Sequence, residues 1–407
     1  MRRILARAGL ALAALTLTLV LLEVGGYAIL RLTPESCESF RDLIWMRRAF
    51  HPLFRASPPE TYGFWPYTGY FFRPTWKTPP ADLPRPYPEA YVYQDLWGQR
   101  TPLAKPGREL RVFVLGGSTI MGQGSSAADR AVPGRLEHRL RQLQPAGSPW
   151  TIRVVNAGVG GYASTQEQVH IATRLLAFAP DALVVADGYN DFLELWSAPQ
   201  LPVFWSDYSK HLYEGFRRMQ SPLGLAGQLG FLMSKRLYCL SLPRAWLRYR
   251  RMRRETGGMG PAASVRGIVS ARADRAVWMY ATNMRTMLGT AAAHRIPLLM
   301  VLQPTLAYGK PRLSAEEEGL LAAQESQGNA GWRRAIADFY PRLRAAYRDA
   351  AREFPGRVID RSEAFRSSSE TLYGDHCHYN DEGADALARD LAPAVYAALK
   401  RRVGKGL

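Results

Sequence analysis

Arg111-Val-Phe-Val-Leu-Gly-Gly-Ser-Thr119 is the stretch that decides the fold. A short run, Arg111 to Leu115, apolar after its first residue, ends in two glycines and two hydroxyl residues. Such a run, bounded by turn residues, reads as a strand buried on both faces. Downstream the same unit recurs. A helix is expected from about residue 131 to 143, then a strand Ile152 to Asn156 and a helix Ser164 to Phe178. Ala182 to Ala186 (ALVVA) is a third strand. A helix Ser270 to His294 precedes a fourth strand, Pro297 to Leu302 (PLLMVL). A helix at 332–353, a short strand Arg357 to Asp360 and a last helix Gly383 to Lys400 complete the pattern. Apolar strands alternating with helices predict an α/β domain of three layers, a parallel sheet covered on both faces.

In an open parallel sheet, ligands bind beyond the carboxyl ends of the strands. The loops there hold Ser118, the glycines 158, 160 and 161, the run Gly188-Tyr189-Asn190-Asp191, and Asp375-His376-Cys377-His378. A serine hydroxyl attacks only when a neighbouring imidazole takes its proton. Asp375 stands three residues before His378, a spacing that lets its carboxylate hold one ring N–H while the other nitrogen faces Ser118. An oxyanion needs preorganised donors, and the Ser118 N–H, the Gly161 N–H and the Asn190 amide are suitable. His376 competes with His378, but its spacing from Asp375 is wrong. Gln303, at the end of the fourth strand, either meets substrate or bonds backbone. The phosphate-loop reading of Gly116 to Thr119 lacks the required lysine. Neighbouring side chains rarely converge on one ion, so neither a metal at 375–378 nor any cofactor is expected.

These blocks resemble those of the SGNH (GDSL-like) hydrolase superfamily, whose members are flavodoxin-like in fold. The serine block, usually Gly-Asp-Ser-Leu, is similar to Gly116-Gly117-Ser118-Thr119, with Gly117 in place of a non-catalytic aspartate. The glycine block resembles Asn156-Ala-Gly-Val-Gly-Gly161, with Gly161 preferred as the one furthest from Asn156. The asparagine block resembles Gly188-Tyr-Asn190-Asp191, and the final block Asp375-His-Cys-His378 is followed by Asn380 and Gly383. The resemblance spans about 109 to 400 and implies an esterase acting through an acyl-serine, as in family members that act on acetylated glycans, lipids and thioesters.

Three further regions flank or interrupt this domain, taken as 109–403. Arg2, Arg3 and Arg7 precede an apolar run from Ala8 to Leu22 that Val24 to Leu30 extends past Glu23. About twenty mainly apolar residues suffice to cross a bilayer, and no clear cleavage site follows, so residues 1–32 are expected to be an uncleaved anchor. The arginines ahead of the run predict an exported domain, on a single-pass protein of the inner (cytoplasmic) membrane with a periplasmic or extracellular catalytic part. Arg31, Arg41, Arg47 and Arg48 just beyond it weaken that asymmetry. Residues 33–108 are rich in proline and aromatics, predicting short extended pieces that pack on the main domain. A helical insertion at about 192–265 carries the basic run Arg244 to Arg254, read as a solvated face or as a lid touching anionic lipid or glycan.

The formal net charge of +18 favours anionic partners, yet no zinc-finger spacing or aromatic-basic motif is present, so nucleic acid is not expected. Cys37, Cys239 and Cys377 are too few for a disulfide framework. The expected function is hydrolysis of an acyl ester, with an O-acetyl group on a cell-envelope glycan or lipid as the target. Two alternatives share the fold: an O-acyltransferase using the same residues, and a non-catalytic glycan-binding protein.

Overall fold

A computed structural model describes residues 9–11, 13–14, 16–25, 62–65, 69–72, 104–197, 261–326 and 331–404. The chain divides into two units, Met1–Ala56 with His211–Ser264 and Ser57–Lys210 with Val265–Leu407. In the first, the described residues near the N-terminus are helical, and Leu10, Leu17, Leu21, Leu22 and Val24 turn most of their surface outward. Among the described residues no helix is long and apolar enough to cross a membrane. The basic run 244–254 lies outside the described residues.

The second unit opens with a hairpin, β1 (Tyr62–Trp65) paired antiparallel with β2 (Gly69–Phe72). This is short extended structure of the kind expected for the proline-rich region, although the packing of its aromatic side chains lies outside the described residues. There follow β3 (Glu109–Gly116), α1 (Ser118–Met121), α2 (Val132–Leu143), β4 (Thr151–Asn156), α3 (Ser164–Thr173), β5 (Ala182–Asp187) and α4 (Tyr189–Ser197). Then come α5 (Pro261–Ala293), β6 (Leu298–Leu302), α6 (Ala315–Ser326), α7 (Trp332–Glu353), β7 (Val358–Asp360) and α8 (Asp381–Val403).

Strands β3 to β7 form one parallel sheet in the order β4-β3-β5-β6-β7. Counted from β3, this is the 2-1-3-4-5 order of flavodoxin-like folds. The three central strands are buried along their whole length, as their mainly apolar sequences require. Each fully buried Val, Leu or Phe there contributes about 1.5–3 kcal/mol. Arg111 lies within β3 with no exposed surface, tolerated because its Nε donates to Glu109 (2.6 Å) and a terminal nitrogen to the Phe178 carbonyl (3.0 Å). Helices α2 and α8 pack together, while α5 is tied to α3 through Asn283 and to α7 through the Tyr280–Tyr347 hydroxyl pair at 2.7 Å. Right-handed crossovers that reverse direction at β3 put these two helix groups on opposite faces, giving the three layers.

The structure differs from the sequence reading at several places. Ser118 and Thr119, read as a turn, open α1. Asn190 and Asp191, read as a loop, lie in α4, which runs into the expected insertion, and α5 starts at Pro261, ahead of the expected Ser270. The helix expected from Ser164 to Phe178 stops at Thr173; Arg174 leaves helical geometry and a 3-10 turn, Leu175–Phe178, follows. Pro180 disfavours helical backbone just before it, and Ala179 instead takes a left-handed conformation (φ 48°). Helix α6 was not foreseen. Its signal is a capping box: Glu317 N–H donates to Ser314 Oγ (3.2 Å) and Ser314 N–H to the Glu317 carboxylate (3.0 Å).

Candidate active site

The strand order reverses at β3, which sends its chain first to β4 and then back to β5 on its other side. Ser118 begins α1 just past β3, and Asn190 lies at the start of α4 just past β5. The two therefore flank the switch point where α/β sheets open a crevice. Short helix α1 is pinned from beneath by the glycine block. Asn156 donates its amide to the Met121 carbonyl (3.2 Å) and accepts from the Gly158 N–H (2.9 Å). A Cβ on Gly158 would stand 2.4 Å from the Met121 nitrogen. Gly158 is thus a packing glycine. Gly161 is different: it is exposed, at φ 77°, in the turn closed by the Tyr162 N–H to the Val159 carbonyl (3.0 Å).

The segment between β7 and α8 supplies the remaining candidates. His378 Nε2 stands 2.7 Å from Ser118 Oγ, and its Nδ1 stands 2.6 Å from Asp375 Oδ2. The second Asp375 oxygen accepts the backbone N–H groups of Cys377 (2.9 Å) and His378 (2.8 Å). With Nδ1 protonated toward the carboxylate, Nε2 is left as an acceptor for the Ser118 hydroxyl. Burial alone would raise the Asp375 carboxyl. The attraction of His378, its hydrogen bond, nearby His376 and the Cys377 N–H outweigh it, holding the group well below the usual carboxylate range.

The loop that presents these two residues is braced on every side. The Gly374 N–H donates to the His378 carbonyl (2.9 Å) and the Asn380 N–H to the Leu372 carbonyl (3.1 Å). Asn380 caps α8 by accepting from the Gly383 N–H at 2.9 Å. A Cβ on Gly383 would meet the Leu372 carbonyl oxygen at 2.1 Å, which explains a glycine there. Tyr379 donates to the Pro304 carbonyl (3.0 Å). Sequence reasoning missed one support altogether. The buried Lys310–Glu317 ion pair sits beneath the loop, with Glu317 accepting the Leu372 N–H (2.9 Å) and Lys310 donating to the Glu370 carbonyl (2.7 Å).

On the other flank, Asn190 donates its side-chain amide to the Tyr162 carbonyl at 2.6 Å. That amide lies directly over Gly117, where a Cβ would stand 2.0 Å from it. The glycine that departs from the usual serine block is therefore the residue that lets the Asn190 amide lie against the backbone just before Ser118.

The structure brings Ser118, His378 and Asp375 together, with Asn190 beside them and Gly161 in the turn before Tyr162. His376 is turned elsewhere, its ring 5.8 Å from Tyr189 and 5.5 Å from Trp332, and burial pushes it down in spite of Asp375. Gln303 is buried and accepts from the Thr119 hydroxyl (3.3 Å), steadying α1. His170 is buried and pushed down to about 3, first by burial and then by Arg174. His138 is bonded to Gln142 at the surface and His294 is exposed, while His51 and His211 lie outside the described residues. Ligand atoms of Asp375, His376 and Cys377 lie within 4.8 Å of one another. As metal donors they fit poorly: Asp375 is committed to His378 and two backbone N–H groups, and burial raises the Cys377 thiol.

A family model described as GDSL-like Lipase/Acylhydrolase matches residues 114–386, from the end of β3 into α8. Similar solved structures include a catalytic mutant of an acetylxylan esterase from Geobacillus stearothermophilus. It is 15% identical with a TM-score of 0.36, covering 74% of this chain and 97% of that one. A GDSL-like lipase from Bacteroides thetaiotaomicron is 13% identical with a TM-score of 0.36, covering 77% and 99%. No curated protein matches.

Proposed function

We propose, for a chain that belongs to the GDSL-like lipase/acylhydrolase family and is thereby a carboxylic ester hydrolase, that Ser118 is the nucleophile, His378 its base and Asp375 the group that orients and stabilises the imidazole. The observation that carries this reading is the unbroken path from Asp375 Oδ2 through the imidazole to Ser118 Oγ, with steps of 2.6 and 2.7 Å. Ser118 Oγ attacks the ester carbonyl as His378 Nε2 takes its proton. The tetrahedral oxyanion is met by the backbone N–H groups of Ser118 and Gly161 and by the Asn190 amide. His378 then returns the proton to the departing alcohol, and water repeats the sequence on the acyl-serine.

The acyl group in this reading is an O-acetyl or similar short chain on a cell-envelope glycan or lipid. The chain is held to the inner membrane by residues 1–32, with the hydrolase domain on the outer side. The basic charge and the exposed leucines of the N-terminal helical residues support that placement.

The test uses the full chain in detergent. A fluorophosphonate probe should label it, and p-nitrophenyl acetate should be hydrolysed; both should be lost in Ser118→Ala and in His378→Ala. A folded wild type that neither labels nor turns over sinks the assignment. Alkaline carbonate washing of cell membranes tests the anchor, since an integral protein stays in the pellet and a peripheral one is released.

A further inference from the structure

The two loop-borne donors of the oxyanion side come from separate connections, Gly161 after β4 and Asn190 after β5, so something must hold them in register. The Asn190 amide to the Tyr162 carbonyl is one tie. The other begins with an unusual helix start. Helix α3 follows the turn that carries Gly161, and its N-cap residue is Ala163, which has no side-chain acceptor. Gln166 reaches back to the Ala163 N–H (3.1 Å). The next N–H, of Ser164, goes to the Asp191 carboxylate at 3.2 Å, and the Ser164 hydroxyl donates to the same carboxylate at 2.6 Å. Asp191 is on α4, immediately after Asn190. A carboxylate at a helix N-terminus satisfies an orphan donor and meets the positive end of the helix dipole.

Asp191 is 7% exposed and Ser164 fully buried, so neither bond competes with water. The Ser164 hydroxyl also accepts the Asn283 amide (2.9 Å), which fastens α5 to the same point. Behind Asp191 lie the buried acids Asp187 and Glu167. Burial, then the neighbouring carboxyls, raises both well above the usual carboxylate range. Burial raises Asp191 as well, and its two Ser164 donors oppose this.

We propose that Asp191 is a positioning residue for the oxyanion side of the site: by capping α3 from α4 through Ser164, it holds the Val159–Tyr162 turn in register with Asn190. It touches neither the Ser118 hydroxyl nor His378, and acts only through the placement of the Gly161 N–H and the Asn190 amide. The inference rests on the esterase reading above.

The test is a double-mutant cycle on the full chain, with kcat and KM for p-nitrophenyl acetate and Tm for each variant. Asp191→Asn and Asn190→Ala are made singly and together; Ser164→Ala, which removes only the hydroxyl, is a parallel arm. Losing one oxyanion donor lowers kcat by about 100- to 1,000-fold. Asp191→Asn should lower kcat by about 10- to 100-fold with KM little changed, and in the Asn190→Ala background its effect should shrink to the share carried by Gly161 alone. Ser164→Ala should show the same shrinkage from a smaller starting effect, and it carries the cycle if Asp191→Asn fails to fold. Fold-changes that multiply independently, or a wild-type kcat in the single variants, overturn the proposal while leaving the esterase reading intact. Wild-type turnover unaffected by Ser118→Ala overturns the esterase reading and this inference with it.

Discussion

Gly117→Ala adds one methyl group beside the candidate nucleophile, and the structure says where that methyl goes. The new Cβ would stand 2.0 Å from the Asn190 amide nitrogen, 3.2 Å from its Cγ and 3.3 Å from the Tyr162 carbonyl oxygen. Ordinary contact begins near 3.4 Å, so the amide must retreat by about 1.4 Å. It cannot do so and keep its 2.6 Å bond to the Tyr162 carbonyl. The carbonyl belongs to the fully buried Tyr162 and has little freedom to follow. The stability lost is that of one hydrogen bond, about 1 kcal/mol. The larger effect is on catalysis, because Asn190 is withdrawn from the oxyanion: about 2.7–4 kcal/mol, or 100- to 1,000-fold in kcat. Gly117 itself has an ordinary φ of −77°, so the effect comes from the clash and not from backbone strain. Steady-state hydrolysis of p-nitrophenyl acetate, with Tm measured alongside, gives both numbers. If Gly117→Ala retained kcat within threefold of wild type, the placement of Asn190 over Gly117 as an oxyanion donor would be refuted.

Other expectations follow from the same geometry. Asp375→Asn should leave the fold intact yet lower kcat about 10,000-fold, because the amide no longer selects the tautomer that presents Nε2 to Ser118; a loss under tenfold would remove Asp375 from the site. Glu317→Ala leaves Lys310 buried without its partner and should destabilise by about 3–5 kcal/mol in denaturant titration. Unchanged stability would show that the pair does not hold the loop of Asp375 and His378. Asp187 is raised in the folded state, so the native protein binds a proton that the unfolded chain releases above about pH 4. Its contribution is therefore present at low pH and lost as pH rises toward the folded value. Asp187→Asn has no such proton, so its stability relative to wild type should grow between pH 5 and 8, by up to about 1.4 kcal/mol per pH unit. Parallel stability curves for the two proteins would rule out a neutral Asp187.

The strands were legible because burial along a strand is written locally: ALVVA and LLMVL are apolar at every position, and the structure buries every one of them. The loops that follow were legible for the same reason, since the apolar runs stop where Ser118, the glycines and Asn190 begin. Helix α6 was not, because its mean pattern is weakly amphipathic and its start depends on the pairing of Ser314 with Glu317. The end of α3 was missed because the chain leaves helical geometry at Arg174, where neither glycine nor proline marks the break.

Within the site the division is sharper. The amino-acid order alone determined a parallel α/β domain and the small set of residues able to do acyl chemistry at one edge of it, through the succession of buried runs and the Asp-x-x-His spacing. The same spacing favoured His378 over His376 as the imidazole facing Ser118, and packing supplies what keeps the two rings apart. His376 and His378 differ by two residues, but one ring is turned among Tyr189 and Trp332 and the other toward a serine 260 positions away. Which glycine is structural, why Gly117 carries no side chain, and how Asp191 caps a helix it does not belong to were likewise tertiary decisions. Local pattern records how much of each element is buried. It does not record which distant element does the burying, and a hydrogen bond between two loops exists only once the sheet has set them side by side.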